Sequence, residues 1–192
     1  MPHTLDRMTN MRKTLMLAGL LCAANAVCAQ DIPNRLIDYD AFASQVSAVG
    51  QWRKTHRVSE AEFIRMSADP ATVVLDARSA EKYAELHVRG ARNLSLPDIT
   101  ADELAKVVPE KSTRILIYCN NNFLNAPGAF PSKAVSASLN IYTINVLHSY
   151  GYDNVYELGP LIDINQAKIE FEGAQATPRS AVARRRMRLE SE

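Results

Sequence analysis

The sequence predicts an α/β fold, a parallel sheet flanked by helices on both faces, and three observations predict it. Thr72-Val73-Val74-Leu75-Asp76 and Arg114-Ile115-Leu116-Ile117-Tyr118 are strand-length apolar runs with no polar alternation. Such runs suit strands buried on both sides, as in a parallel sheet covered by helices. Ser59-Glu60-Ala61-Glu62 and Thr100-Ala101-Asp102-Glu103 are capping boxes, so helices are expected to open between the strands. Strand and helix signals then alternate along the chain, the pattern of an α/β domain.

Each element follows from local chemistry. Arg12 and Lys13 precede an apolar run over 15–27, and Val27-Cys28-Ala29 supplies small residues before Gln30. This is the pattern of a secretory signal peptide over 1–29, with cleavage after Ala29, although translation starting at Met8 or Met11 fits equally. The run is shorter than the roughly 18 residues of a membrane span, and no later stretch qualifies. A soluble, periplasmic or secreted protein without a membrane span is expected. Residues 30–57 read as an N-terminal extension with a short helix over 40–49. An α/β body over 58–172 follows: helix 59–68, strand 72–76, helix 79–86, a brief strand 91–94, helix 100–108 stopped by Pro109, and strand 114–118. A Gly- and Pro-rich loop then leads to a helix over 132–149, and strand 154–158 ends at Gly159-Pro160. Arg184, Arg185, Arg186 and Arg188 mark 173–192 as a solvated basic tail.

Of the 192 residues 47% are hydrophobic and 22% charged, which excludes a disordered chain. The formal net charge of +1 provides no global field for nucleic acid, and none is expected as a partner. Export removes Arg7, Arg12 and Lys13 from 22 basic residues and Asp6 from 21 acidic ones, leaving 19 against 20. It also removes Cys22 and Cys28. Cys119 is then the only thiol, so no internal disulfide forms in a compartment where disulfides persist. No metal cluster, nucleotide loop or cofactor site is legible.

Cys119 ends the second strong strand and begins a strand-to-helix loop, the place where backbone N–H groups of an open α/β sheet converge. Such dipoles are expected to favour a nucleophilic thiolate, with the sulfur at the mouth of an amide-lined pocket. Packing of the side chain among Leu116 and Ile144 would instead mark an inert thiol. His148 lies far along the following helix, so a Cys–His hydrolase pair is not expected.

Val74-Leu75-Asp76-Ala77-Arg78-Ser79, Glu81-Lys82-Tyr83 and His87-Val88-Arg89-Gly90-Ala91-Arg92-Asn93-Leu94 occur in order, followed by the strand ending in Cys119 and by the run from Tyr150 to Leu158. Over residues 58–160 the chain resembles a rhodanese-like domain. The resemblance implies that Cys119 takes a sulfane sulfur from a small donor such as thiosulfate, becomes a persulfide, and passes the sulfur to a thiophilic acceptor. Asp76, Arg78, His87 and Gly90 match the family motif and are expected to be structural, with Arg78 pairing with Glu81 at i,i+3. The loop departs from the family's Cys-x-x-Gly-x-Arg form: Cys119-Asn120-Asn121-Asn122-Phe123-Leu124-Asn125-Ala126-Pro127-Gly128 has no Arg. Position 126 is Ala, which disfavours phosphatase chemistry. Asn120, Asn121 and Asn122 are therefore expected to supply amide donors to the substrate, and Lys133 the positive charge. The alternatives are a catalytically inactive rhodanese-homology module that binds a protein partner, and a single-thiol redox sensor.

Overall fold

The computed structural model describes residues 32–176. The expected signal peptide and residues 177–192 of the basic tail lie outside them. Residues 32–38 form a short unit in which Asn34 Oδ1 accepts the Leu36 N–H at 3.0 Å.

In the larger unit the elements run α1 (Tyr39–Trp52), β1 (Arg57–Val58), α2 (Glu60–Ser67), β2 (Thr72–Asp76), α3 (Ala80–Glu85), β3 (His87–Val88) and β4 (Arg92–Asn93). They continue with α4 (Ala101–Val107), β5 (Arg114–Tyr118), β6 (Phe123–Leu124), α5 (Leu139–Ser149), β7 (Val155–Leu158), β8 (Ile162–Asp163) and β9 (Phe171–Glu172). Both capping boxes deliver their first half. Ser59 Oγ accepts the Glu62 N–H and Thr100 Oγ1 the Glu103 N–H, each at 3.2 Å, opening α2 and α4.

Five strands form one sheet in the order β1-β7-β5-β2-β4, with every pairing parallel. The two apolar runs are its centre, with β2 and β5 in register from Thr72 opposite Arg114 to Asp76 opposite Tyr118. Their side chains alternate between two cores. Val74, Leu116 and Tyr118 pack with Phe63 and Met66 of α2. Val73, Leu75, Ile115 and Ile117 pack with Leu104 of α4, Ile144 and Leu147 of α5, and Val49 of α1. Helices therefore cover both faces, which is why neither strand carries a polar side.

Three boundaries differ from the sequence reading. The N-terminal extension belongs to the domain from Tyr39 onward. Val49 of α1 is buried, Gln45 Nε2 donates to the Asn145 carbonyl at 2.6 Å, and Arg57 pairs with Glu157 in the sheet. The buried Glu157 carboxylate takes Arg53 Nε and Nη2, both at 2.5 Å, and Arg57 Nε at 3.1 Å. These ion pairs are formed only when β7 and the N-terminal segment meet, so no local pattern foretold them.

The last long helix starts at Leu139 rather than at residue 132. Asn121 intercepts the main chain of Lys133, its Oδ1 taking the Lys133 N–H at 3.0 Å and its Nδ2 donating to the Lys133 carbonyl at 2.8 Å. Both groups are thus diverted from helical bonding. The tail also begins later than 173, because the Ala174 and Gln175 N–H groups donate to the Ala84 and Glu85 carbonyls at 3.0 and 2.9 Å. Gly173 permits this approach: its φ is +119°, and a Cβ there would stand 2.7 Å from the Glu85 carbonyl oxygen.

Candidate functional site around Cys119

Strand β5 is the middle strand of the sheet, and Cys119 is the residue that leaves it. Its backbone is still extended, and the chain then tightens into a single 3-10 turn over Asn120–Asn122. The Asn122 N–H donates to the Cys119 carbonyl at 3.1 Å, and Asn122 Oδ1 accepts the Cys119 N–H at 2.9 Å. The same Asn122 amide donates to the carbonyls of Leu158 at 2.7 Å and Pro160 at 3.2 Å, tying the turn to the end of β7. Asn140 Nδ2 adds a bond to Asn122 Oδ1 at 3.2 Å. One side chain thus joins the Cys119 loop to β7 and α5.

Two of the three expected amide donors are therefore occupied. Asn122 has both of its N–H groups on main-chain carbonyls, leaving none for a ligand, and Asn121 clamps Lys133. Asn120 is only 3% exposed and starts the 3-10 turn that follows Cys119. Lys133 is exposed and joins the loop through its main chain.

The sulfur does not stand at a solvent-facing mouth. Cys119 is 1% exposed, and its Sγ lies 3.4 Å from Ser138 Oγ. The Asn121–Lys133 clamp folds the loop back so that Ser138, at the head of α5, meets the sulfur.

Beneath the loop lies a buried ionic group. Asp76 ends β2, and Arg78 two residues on places Nη2 at 2.5 Å and Nε at 2.9 Å from its carboxylate, with side-chain exposures of 0% and 2%. Arg78 therefore pairs with Asp76 rather than with Glu81, because its guanidinium turns inward to donate to the Ala129 and Leu86 carbonyls and to lie 4.2 Å over the Phe130 ring. Burial acts to lower the Arg78 pKa, but the Asp76 hydrogen bonds and charge outweigh it and hold the guanidinium more firmly protonated than usual.

Tyr118, next to Cys119, donates its hydroxyl to Asp76 Oδ2 at 2.5 Å and accepts the Val88 N–H at 3.1 Å. Burial first, and the Asp76 charge second, push its phenol well above the ordinary range. Because the folded pKa is raised, this contribution to stability is intact below the unfolded value of about 10 and drains away as pH climbs from there through the folded value. Tyr118→Phe is expected to flatten that alkaline loss. Urea unfolding at about pH 8 and about pH 11 checks it, and equal losses in both proteins would refute the assignment.

The two remaining motif residues shape the neighbouring turn. His87 stacks on Tyr83 at 3.7 Å between centroids, with Nδ1 at 2.7 Å from the Tyr83 carbonyl, and Gly90 takes φ +75°. Among the described residues no group of His, Cys, Asp and Glu could hold a metal ion.

The sequence profile of the rhodanese-like domain matches residues 59–159, which is more than half of the chain. The chain belongs to the rhodanese-like domain family. Thiosulfate sulfurtransferase PspE of Escherichia coli (strain K12) is 29% identical over 96 residues, spanning 50% of this chain and 77% of that protein. Among solved structures, the BH2092 protein from Bacillus halodurans is 19% identical with a TM-score of 0.47, over 70% of this chain and 88% of that one. The Alr3790 protein from Anabaena sp. is 24% identical with a TM-score of 0.44, over 69% and 91%. In this rhodanese-like domain the sequence reading missed Tyr118, Ser138 and Asn140. Tyr118 looked like one more apolar strand residue, while Ser138 and Asn140 lie too far along the chain to advertise contact with Cys119.

Proposed function

We propose that this protein is an exported, periplasmic or secreted sulfurtransferase whose Cys119 carries a persulfide. One observation carries the reading: Cys119 leaves the middle strand of the sheet into a loop knitted by Asn121 and Asn122, with the buried Asn120 next to it in the chain. The Cys119 thiolate attacks the outer sulfur of a small donor such as thiosulfate. A bond forms between the two sulfurs, the donor's own S–S bond breaks, and sulfite departs with its electron pair. A thiophilic acceptor then attacks the outer sulfur of the perthiolate and releases the thiolate. No cofactor takes part in either step.

Access to the buried sulfur calls for the exposed residues 131–136 to move aside while the buried Ala129 and Phe130 and the helix-borne Ser138 stay in place. These residues are held near Cys119 by the two Asn121–Lys133 hydrogen bonds, of about 1 kcal/mol each.

Purified mature protein incubated with thiosulfate is expected to gain the mass of one sulfur atom, and Cys119→Ser to gain nothing, as read by intact mass spectrometry. Failure to load from thiosulfate and from other sulfane donors would overturn the reading. A second reading, an inactive rhodanese-homology module that binds a protein partner, draws on the 1% exposure of Cys119 and the absence of Arg in residues 119–128.

A further inference from the structure

We propose that Ser138 is a catalytic residue of this site, its hydroxyl donating a hydrogen bond to the Cys119 thiolate and then to the perthiolate that replaces it. The proposal rests on the sulfurtransferase reading for its second half only, since the first concerns the thiolate alone.

Three observations carry it. Ser138 stands at the N-cap of the eleven-residue helix α5, where serine ordinarily accepts a backbone N–H of the first turn. Here its side chain makes no such cap bond, and its Oγ sits 3.4 Å from Cys119 Sγ instead. Residue 140 adds an independent mark on the same helix turn: Asn140 is buried, its Nδ2 donates into the Cys119 loop, and its Oδ1 has no partner. The first turn of α5 is therefore arranged around the sulfur at the expense of its own polar satisfaction.

The chemistry follows from protonation. While Cys119 is a thiol, either group can donate to the other. Once it is a thiolate, the hydroxyl is the only donor of the two, and a hydrogen bond to the charged form favours that form. During transfer the new S–S bond moves negative charge from Sγ to the outer sulfur. The hydroxyl can follow by rotating about its Cβ–Oγ bond, with no proton changing owner. This places a neutral donor where the loop has no arginine, at a point set by a helix rather than by the loop itself.

The test compares Ser138→Ala and Ser138→Thr with the unaltered mature protein, using the pH profile of iodoacetamide alkylation at Cys119 and thermal unfolding. Ser138→Ala is expected to slow alkylation near neutral pH about tenfold, the scale of one hydrogen bond to a charged group, with convergence at high pH. Ser138→Thr should restore the rate. The melting temperature should not fall by the amount that losing an N-cap brings, because Ser138 makes no cap bond. Unchanged alkylation in the alanine variant, a cap-sized loss of stability without slower alkylation, or a native Cys119 that iodoacetamide never reaches would each overturn the proposal. Failure of the unaltered protein to load sulfur, with Ser138→Ala still slowing alkylation, would refute sulfur transfer and leave the thiolate donor standing.

Discussion

Asp76→Ala is expected to cost about 3–5 kcal/mol of folding stability, the scale of removing one partner from a buried ion pair. The expected loss comes chiefly from what is left behind. Arg78 stays charged with its guanidinium enclosed, and Tyr118 keeps a buried hydroxyl whose acceptor is gone. The carbonyls of Ala129 and Leu86 still accept from Arg78, but they offset only part of a full charge. Urea unfolding followed by circular dichroism measures the effect. A loss below about 1 kcal/mol would mean that the pair is no better than an exposed one. Replacing Asp76 and Arg78 together with apolar residues should be milder than Asp76→Ala alone, since no unpaired charge remains. The same lesion reaches the site, because Tyr118 precedes Cys119 and anchors the end of β5.

Asn122→Ala is the second large effect, and it acts on chemistry as well as stability. The substitution frees the Cys119 N–H and the Leu158 carbonyl, buried groups that each cost about 1–3 kcal/mol when left unsatisfied. It also removes the partner of Asn140. Stability should fall by about 2–4 kcal/mol, and sulfur loading of Cys119 should fall by more than tenfold at a temperature where the variant remains folded. Asn122→Asp separates the contributions. A carboxylate still accepts the Cys119 N–H, yet it faces the Leu158 and Pro160 carbonyls with oxygen instead of N–H, so it should rescue little. Loading at the unaltered rate in both variants would show that the turn needs no such brace.

The elements that were legible in the sequence are those specified by near neighbours. The apolar strands 72–76 and 114–118, the caps at Ser59 and Thr100 and the strand-to-loop position of Cys119 each depend on residues within a few positions of one another. Periodicity and cap chemistry report on that range directly. Asp76 and Arg78 were expected to be structural through the resemblance to the rhodanese-like motif rather than through periodicity. Their pairing was not legible, since Glu81 and Asp76 are both near enough to Arg78. Only the inward turn toward Ala129 and Leu86 selects between them.

Tertiary structure decided the rest. Burial of Cys119, its contact with Ser138, the clamp of Asn121 on Lys133 and the three tasks of Asn122 all join residues from 3 to 38 positions apart across a loop. Likewise, Glu157 draws Arg53 and Arg57 into the domain across 104 and 100 residues. The sequence by itself determined the α/β architecture and singled out Cys119 at the end of a central strand, because strand burial, helix starts and a strand-to-loop position are properties of short segments. Which polar groups surround that thiol is set by how the closed chain brings distant donors and acceptors together. That geometry exists only once both cores have packed.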